Sequence, residues 1–569
     1  MMKLNPALLI FILTLASCSG MERNASKETF EGRNIISEHG MVVSAHPQGS
    51  RTGIQILMEG GNAVDAAVAT GFALAVCYPE AGNIGGGGFM VIRMGDGSAD
   101  VIDFREKAPA AASRNMYLAE NGDVVERSST ETHLASGVPG SVDGLITIHS
   151  KYGKLEFSKV IQPAIGLAEN GYILTGEQAR SLNVNRENFI GKNLNRPAFV
   201  RDTEWKEGDT LRQPDLAETL KRIRDNGRNG FYSEKTAELL LKEMKRGGGL
   251  ITQDDLNDYA SVFRKPLIAG YRGYRLITVP PPSGGGIILF QLLGMVEPYP
   301  LKEWGFHSPG SIHLMAEAEK RAFADRAEYS GDPDFVNVPV EGLIDREYLK
   351  KRLDDFNDKR ASLPEEISAG EPPLYESNET THYSVIDASG NAVAVTTTLN
   401  NIYGSGIIVD GAGFFLNNEM DDFSVKPGFP NLFGLTGGDA NAIEPGKRML
   451  SSMTPVIVEK EGKLFLVAGS PGGSTIPTSV FQVILNVIDH NMGIREAVDT
   501  GRFHHQWLPA YLSYETGSID SLTLLKLKEL GHEMRPRQAI GRVNAIQVLP
   551  DGRLAGGADK RGDNTACGY

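Results

Sequence analysis

From Thr381 the chain alternates with a period of two, and no other segment constrains the fold as tightly. Thr381-His382-Tyr383-Ser384-Val385-Ile386-Asp387 runs into Ala388-Ser389-Gly390-Asn391 and returns as Ala392-Val393-Ala394-Val395-Thr396-Thr397-Thr398. This is a β-hairpin pattern, with a glycine where the loop needs a positive φ. Setting Asp387 opposite Asn391 fixes a register that carries Thr380 across from Thr398, two hydroxyls at the open end of the hairpin. Immediately upstream, residues 361–379 mix prolines and acids without periodicity and read as a loop or linker.

Before that loop, helical patterns dominate to about residue 355. Pro214 opens one helix, with Leu216, Leu220 and Ile223 on a face and Gly227 beyond its end. Ser233 is placed to cap another that carries Ala237, Leu240, Leu241 and Met244 and stops at glycine after Lys245-Arg246. The apolar stretch Ala63–Cys77 contains Asp65 and is short, so it predicts a buried core helix rather than a membrane span.

Lys3, the apolar run Ala7–Ala16 and the box Leu15-Ala16-Ser17-Cys18 read as a signal peptide. The box resembles the bacterial lipoprotein signal, which implies export to the cell envelope (periplasm), lipidation of Cys18, a signal over 1–17 and a polar tether over 18–34. With Cys18 so used, Cys77 and Cys567 are left, and whether they pair stays open. There is no Cys-x-x-Cys and no metal spacing, and His504-His505, beside Phe503 and Trp507, reads as packing. No cofactor is expected. The Gly85–Gly88 run lacks a following Lys-Ser/Thr, so it is not a phosphate-binding loop, and Pro280-Pro281-Pro282-Ser283 reads as a buried turn lining a cleft. With net charge −14 and its 57 basic residues dispersed, the chain has no nucleic-acid footprint.

A strand that begins at a threonine, just after a flexible acidic loop, is what an N-terminal nucleophile needs. Freed by cleavage, the α-amino group has a pKa of about 7.7–8.0 and can act as general base for its own hydroxyl. The segment Glu379-Thr380-Thr381-His382-Tyr383-Ser384 resembles the processing site of the gamma-glutamyltranspeptidases, and similarity runs from Ile35 to Tyr569. It includes Asn83-Ile84-Gly85-Gly86-Gly87-Gly88, Asp103-Phe104-Arg105-Glu106, Leu416-Asn417-Asn418-Glu419-Met420-Asp421-Asp422-Phe423, Ser451-Ser452-Met453-Thr454-Pro455 and Gly469-Ser470-Pro471-Gly472-Gly473-Ser474.

The resemblance implies a four-layer αββα sandwich of the N-terminal nucleophile hydrolase type. It is shared by a large fragment, 35–379, and a small one, 380–569, which form a heterodimer after self-cleavage between Glu379 and Thr380. Thr380 is then the nucleophile, Thr398 its hydrogen-bonding partner, and Gly472 and Gly473 the oxyanion hole. Arg105, with Ser451 and Ser452, is expected to hold the α-carboxylate of a gamma-glutamyl donor. Glu419, Asp422 and Asn400 are expected to hold its α-ammonium. Residues 426–448 resemble a lid loop, in which Phe433 stands where several bacterial relatives place a tyrosine. The implied substrates are glutathione and other gamma-glutamyl compounds, with water, amino acids or peptides as acceptors. Two rivals share the fold and nucleophile, a glutaryl or cephalosporin acylase and a poly-gamma-glutamate depolymerase. A third is a non-catalytic lipoprotein that binds amino acids or peptides.

Overall fold

The computed structural model describes residues 29–372 and 382–569. Cys18, Glu379 and Thr380 lie outside the described residues.

Two antiparallel sheets form the centre. One runs Phe30–Gly32, Thr565–Gly568, Met41–Ser44, Tyr383–Ile386, Ala392–Thr398, Gly87–Arg93, Ala99–Asp103, Val262–Arg264. The other runs Ile36–Ser37, Leu554–Ala558, Asn544–Val548, Lys463–Gly469, Val456–Lys460, Tyr274–Thr278, Leu267–Tyr271.

Alternation along each strand assigns its side chains to different cores, because successive Cβ atoms leave opposite faces of a sheet. In the first sheet Met41, Val43, Phe89, Val91, Ala392 and Ala394 point into a core shared with Ile457, Val467 and Ile546 of the second. Their neighbours Val42, Met90, Ile92, Val393 and Val395 point outward onto a helical layer that includes Pro47–Met58, Ala63–Cys77, Phe157–Asn170 and Pro214–Asn226. In the second sheet Val456, Val458, Leu466 and Ala468 face the other helical layer, which includes Gly284–Val296, Pro309–Tyr329 and Ile476–Ile488. Three cores between four layers make an αββα sandwich.

The hairpin has the expected register. Tyr383 opposes Val395 and Ile386 opposes Ala392, with the Asp387 N–H donating to Asn391 O and Gly390 at φ 74°. Pro214 opens its helix and Gly227 ends it. Ala63–Cys77 is a helix buried along its whole length, and among the described residues no helix is long and apolar enough to cross a membrane.

Two expectations are corrected and one open point is resolved. Ser233 sits at the N-cap but its hydroxyl makes no capping bond. Cys77 and Cys567 are both free and buried, one in a helix and the other in a strand. Part of the expected tether, Phe30–Gly32, is an edge strand paired to Thr565–Gly568, with Glu31 bridged to Arg51. Strand pairing is made by backbone groups, so a polar edge strand carries no apolar signal.

The segments on either side of 373–381 interleave. Strands before this stretch pair with strands after it in six ladders, four in the first sheet and two in the second.

Candidate active site

The strand Ala392–Thr398 delivers Thr398 to the edge of a cleft of about 380 Å³. Its neighbour Gly87–Arg93 lies so close that a Cβ on Gly88 would meet Thr396 O at 2.2 Å, and one on Gly86 would meet Thr398 O at 1.9 Å. Close approach, not phosphate binding, is therefore the use of this glycine run. Asn83 pins the strand end: its Nδ2 donates to Thr398 O at 2.7 Å, while its Oδ1 accepts from Gly86 N at 2.9 Å and Ser141 Oγ at 2.7 Å. Thr398 Oγ1 accepts from Asn400 N at 2.8 Å, which leaves its own proton free to donate. Asn400 adopts φ 74°, a conformation asparagine tolerates, and its Nδ2 is held by Asn418 O at 3.0 Å.

Across the cleft, Gly472 (φ 135°) and Gly473 (φ 57°) form the turn that leads through Thr475 into the helix Ile476–Ile488. A Cβ on Gly473 would meet the Phe433 ring at 2.5 Å. Among the described residues neither glycine N–H finds a protein acceptor, so two amides at a helix start remain available to developing negative charge.

The cleft floor is the short 3-10 turn Glu419–Asp422. Behind it Arg105, 0% exposed, contacts Glu419 and donates to Asp422 Oδ2 at 2.7 Å, with Glu106 3.8 Å away. Its fork is steadied by Leu450 O at 3.3 Å and Met449 O at 3.4 Å. One guanidinium thus faces three buried carboxyl groups. Burial pushes their pKa values up, Glu419 well above the usual range, Glu106 to about 8 and Asp422 to about 6, with Arg105 opposing the rise in each case.

Ser451 and Ser452 are fully buried directly after Leu450, and among the described residues their hydroxyls have no partner. The Pro280–Ser283 turn is buried against them, with Ser283 bridged to Ser451. Thr398, Asn400, Glu419, Asp422, Phe433, Gly472 and Gly473 therefore line one cavity, whereas Arg105, Ser451 and Ser452 sit behind its floor.

The turn around Phe433, within the expected lid, is organised by Asn431, a residue to which the sequence analysis assigned nothing. Its Oδ1 accepts from Phe433 N at 3.0 Å and Leu435 N at 3.1 Å, and its Nδ2 donates to Asp422 Oδ1 at 3.0 Å. Leu432 N donates to Asp421 Oδ2 at 2.8 Å, and Gln506 Nε2 donates to Phe433 O at 3.1 Å. The only signal was the turn composition Pro430-Asn431.

Elsewhere among the described residues His313, Glu317 and His532 converge, but protein partners already occupy them. His313 Nδ1 is 2.7 Å from His532 Nε2, and Glu317 bridges Lys320 and Arg321. The ring nitrogens of His504 are likewise occupied, by Thr478 Oγ1 at 2.9 Å and Gln506 Oε1 at 3.0 Å.

Comparison with known proteins agrees with this geometry. The gamma-glutamyltranspeptidase family model matches residues 49–569. The glutathione hydrolase proenzyme of Escherichia coli (strain K12) is 48% identical over 539 residues, 94% of this chain and 93% of that one. A cephalosporin acylase from Bacillus halodurans superposes with a TM-score of 0.82 at 24% identity, over 96% of this chain and 99% of that one, and shares the fold. Helicobacter pylori gamma-glutamyltranspeptidase superposes at 0.56 with 46% identity, over 57% of this chain and 94% of that chain. With an N-terminal nucleophile hydrolase sandwich, a glycine turn facing an acidic floor and a family match over nearly its whole length, the chain belongs to the gamma-glutamyltranspeptidase family.

Proposed function

We propose that the chain is a self-processing gamma-glutamyltransferase and glutathione hydrolase in which Thr380, released by cleavage after Glu379, carries the gamma-glutamyl group. The observation that carries this reading is the floor, where three buried carboxyl groups share one guanidinium. With its carboxyl groups ionised such a floor carries more negative than positive charge, and a donor's α-ammonium offsets the excess. The α-carboxylate then takes donors of Arg105 together with the unpartnered Ser451 and Ser452 hydroxyls.

With the head group so held, the γ-carbonyl is directed to the Gly472–Gly473 amides. Thr380 Oγ attacks the carbonyl carbon, its proton passes to the α-amine of Thr380 itself and from there to the leaving nitrogen, and the C–N bond breaks to release the amine. Water or an acceptor amine then attacks the ester. Thr398, whose Oγ1 already accepts from Asn400 N, donates its proton to the nucleophile's oxygen. A glutaryl group has no α-ammonium and would leave the floor unbalanced, which argues against the acylase reading.

Thr380→Ala is expected to give one uncut band on a denaturing gel and no activity. The wild type gives two bands, the smaller beginning at Thr380. Two fragments from the alanine variant would overturn self-processing, and equal hydrolysis of gamma-glutamyl and glutaryl anilides would overturn the donor assignment. The Leu15–Cys18 box supports export to the cell envelope with a lipid on Cys18. Cys18→Ser is expected to move the protein from the membrane fraction to the soluble one.

A further inference from the structure

One face of the helix Pro309–Tyr329 carries Glu317, Arg321, Asp325 and Tyr329, every fourth position, and the first three are buried. This polar stripe lies under residues 361–370, which join no sheet. The backbone groups of such a segment must find partners elsewhere. The stripe, with Lys320 beside it, grips the segment at two points, each time by both N–H and C=O. Ser362 N donates to Glu317 Oε1 at 3.1 Å, and Ser362 O accepts from Lys320 Nζ at 2.8 Å. Gly370 N donates to Asp325 Oδ1 at 2.9 Å, and Gly370 O accepts from Tyr329 Oη. Asp325 is itself fixed by three more donors, Arg352 Nη2 at 2.9 Å, Gln291 Nε2 at 2.8 Å and Tyr348 Oη at 2.8 Å. A Cβ on Gly370 would meet Tyr348 Oη at 2.3 Å, so the chain lies closest to the clamp where it has no side chain.

Buried ionisable groups are a costly way to fix a segment, and a chain end normally needs no fixing. In a cut molecule this segment leads only to the end of the large fragment. Before the cut it leads to the scissile bond, with Gly370 and Glu379 nine positions apart. The clamp also stands close to the cleft, since Gly438, within the expected lid, donates its N–H to Ala327 O at 2.9 Å. We propose that Asp325 and Tyr329 are positioning residues for self-cleavage: by fixing both backbone groups of Gly370 they shorten the free tether to the scissile bond and raise the rate at which the Glu379 carbonyl meets Thr380 Oγ. This rests on the self-processing proposed above.

In that step Oγ attacks the carbonyl carbon, the ester C–O bond forms as the C–N bond breaks, and the hydroxyl proton ends on the freed amine. Water then cleaves the ester, leaving a carboxyl on Glu379 and the hydroxyl on Thr380. A shorter tether leaves fewer conformations to search before the reacting atoms meet.

The test follows conversion of freshly translated precursor into two bands on a denaturing gel. Tyr329→Phe is expected to slow it about two- to tenfold, and Asp325→Asn by about tenfold or more. Each variant, once fully cut, should match the wild type in kcat and KM with a gamma-glutamyl anilide. About nine glycine and serine residues inserted after Gly370, doubling the tether, should slow cleavage about threefold with the clamp intact. In that lengthened chain Tyr329→Phe should matter less than in the natural one, because the tether is already slack. A wild-type cleavage rate in Tyr329→Phe or in the lengthened chain overturns the clamp. So does a matching loss of kcat in the matured variants, which marks a general loss of structure. These measurements decide it even if Asp325→Asn fails to fold. A wild type that stays whole overturns self-processing, and the clamp with it.

Discussion

The floor of the cleft and its lid meet at Asp422, yet they are built from opposite materials. The floor is made of ionisable groups removed from water: Arg105, Glu106, Glu419 and Asp422 are all buried. The turn over it, the expected lid, is held by uncharged donors, the Asn431 amide and the backbone of residues 432–435, two of which reach the carboxyl groups of Asp422 and Asp421, with the Phe433 ring laid on Gly473. Buried charges are costly to leave unpaired, whereas a neutral hydrogen bond is worth about 0.5–1.5 kcal/mol net. Damage to the floor should therefore abolish recognition, and damage to the lid should only shift the partition of the acyl-enzyme.

The largest effect that follows is at Arg105. Arg105→Lys keeps a cation but loses the fork, so the donor KM should rise about 10- to 150-fold with kcat far less affected. Arg105→Ala also strands three carboxyl groups and should lower unfolding stability by about 3–5 kcal/mol in denaturant titration. A normal KM in the lysine variant would remove Arg105 from the donor site.

Next comes pH. Burial raises the Asp422 carboxyl to about 6, so this group is charged above that value and neutral below it. Its grip on the donor ammonium is thus present at neutral pH and lost as pH falls through about 6. An acidic limb in kcat/KM at that position is expected, because this parameter reports the free enzyme. A flat profile down to pH 5 would count against the assignment. Stability of the empty floor runs the other way. The Glu106 carboxyl is raised from 4.5 to about 8, so the folded state holds its proton more tightly than the unfolded chain does. That contribution is complete below about 4.5 and is lost as pH rises through about 8, which thermal unfolding across this range would register.

On the lid, Asn431→Ala removes the link to Asp422 and two backbone acceptor bonds, and water should reach the ester more easily. The transfer-to-hydrolysis ratio at fixed acceptor should fall about two- to tenfold with donor KM little changed. A KM effect as large as that of Arg105→Lys would erase the contrast between lid and floor. The smallest change is expected for Phe433→Tyr. One added hydroxyl on a lid already tied through Asn431, Leu432 and Gln506 should raise the same ratio by about twofold, and an unchanged or lower ratio would refute it.

What could be read from the sequence was local, or carried by motifs. The register of Tyr383–Ile386 against Ala392–Val395 follows from alternation plus one glycine, and the helix from Pro214 to Asn226 follows from its end signals. The residues of the cleft followed from the family resemblance, which recovered which residues matter but not how they pair. Arg105 looked like a free grip for a carboxylate, whereas the fold first spends it on balancing Glu419 and Asp422, more than 300 positions away. Asn83 under Thr398 and Arg542 on Tyr78 are contacts across 315 and 464 positions, which no local pattern encodes. Asn431 escaped for a different reason. Its spacing to Asp422 is short, but an asparagine in a Gly/Pro-rich stretch reads as turn chemistry alone.

The interleaved ladders carry a consequence for the life of the mature molecule. While 372 and 382 are joined, unfolding and refolding are events within one chain. Once the connection is cut, the two central sheets are the product of an association, because neither fragment holds all the strands of either one. The cut costs the native state little, but it removes the effective concentration, of millimolar order for a short linker, that held the two parts together. Mature protein unfolded by heat at nanomolar concentration should then refold at a rate that depends on dilution, whereas uncut Thr380→Ala precursor should not. Processing thereby trades a reversible equilibrium for persistence, and the cut enzyme endures by the slowness of its unfolding rather than by its power to recover.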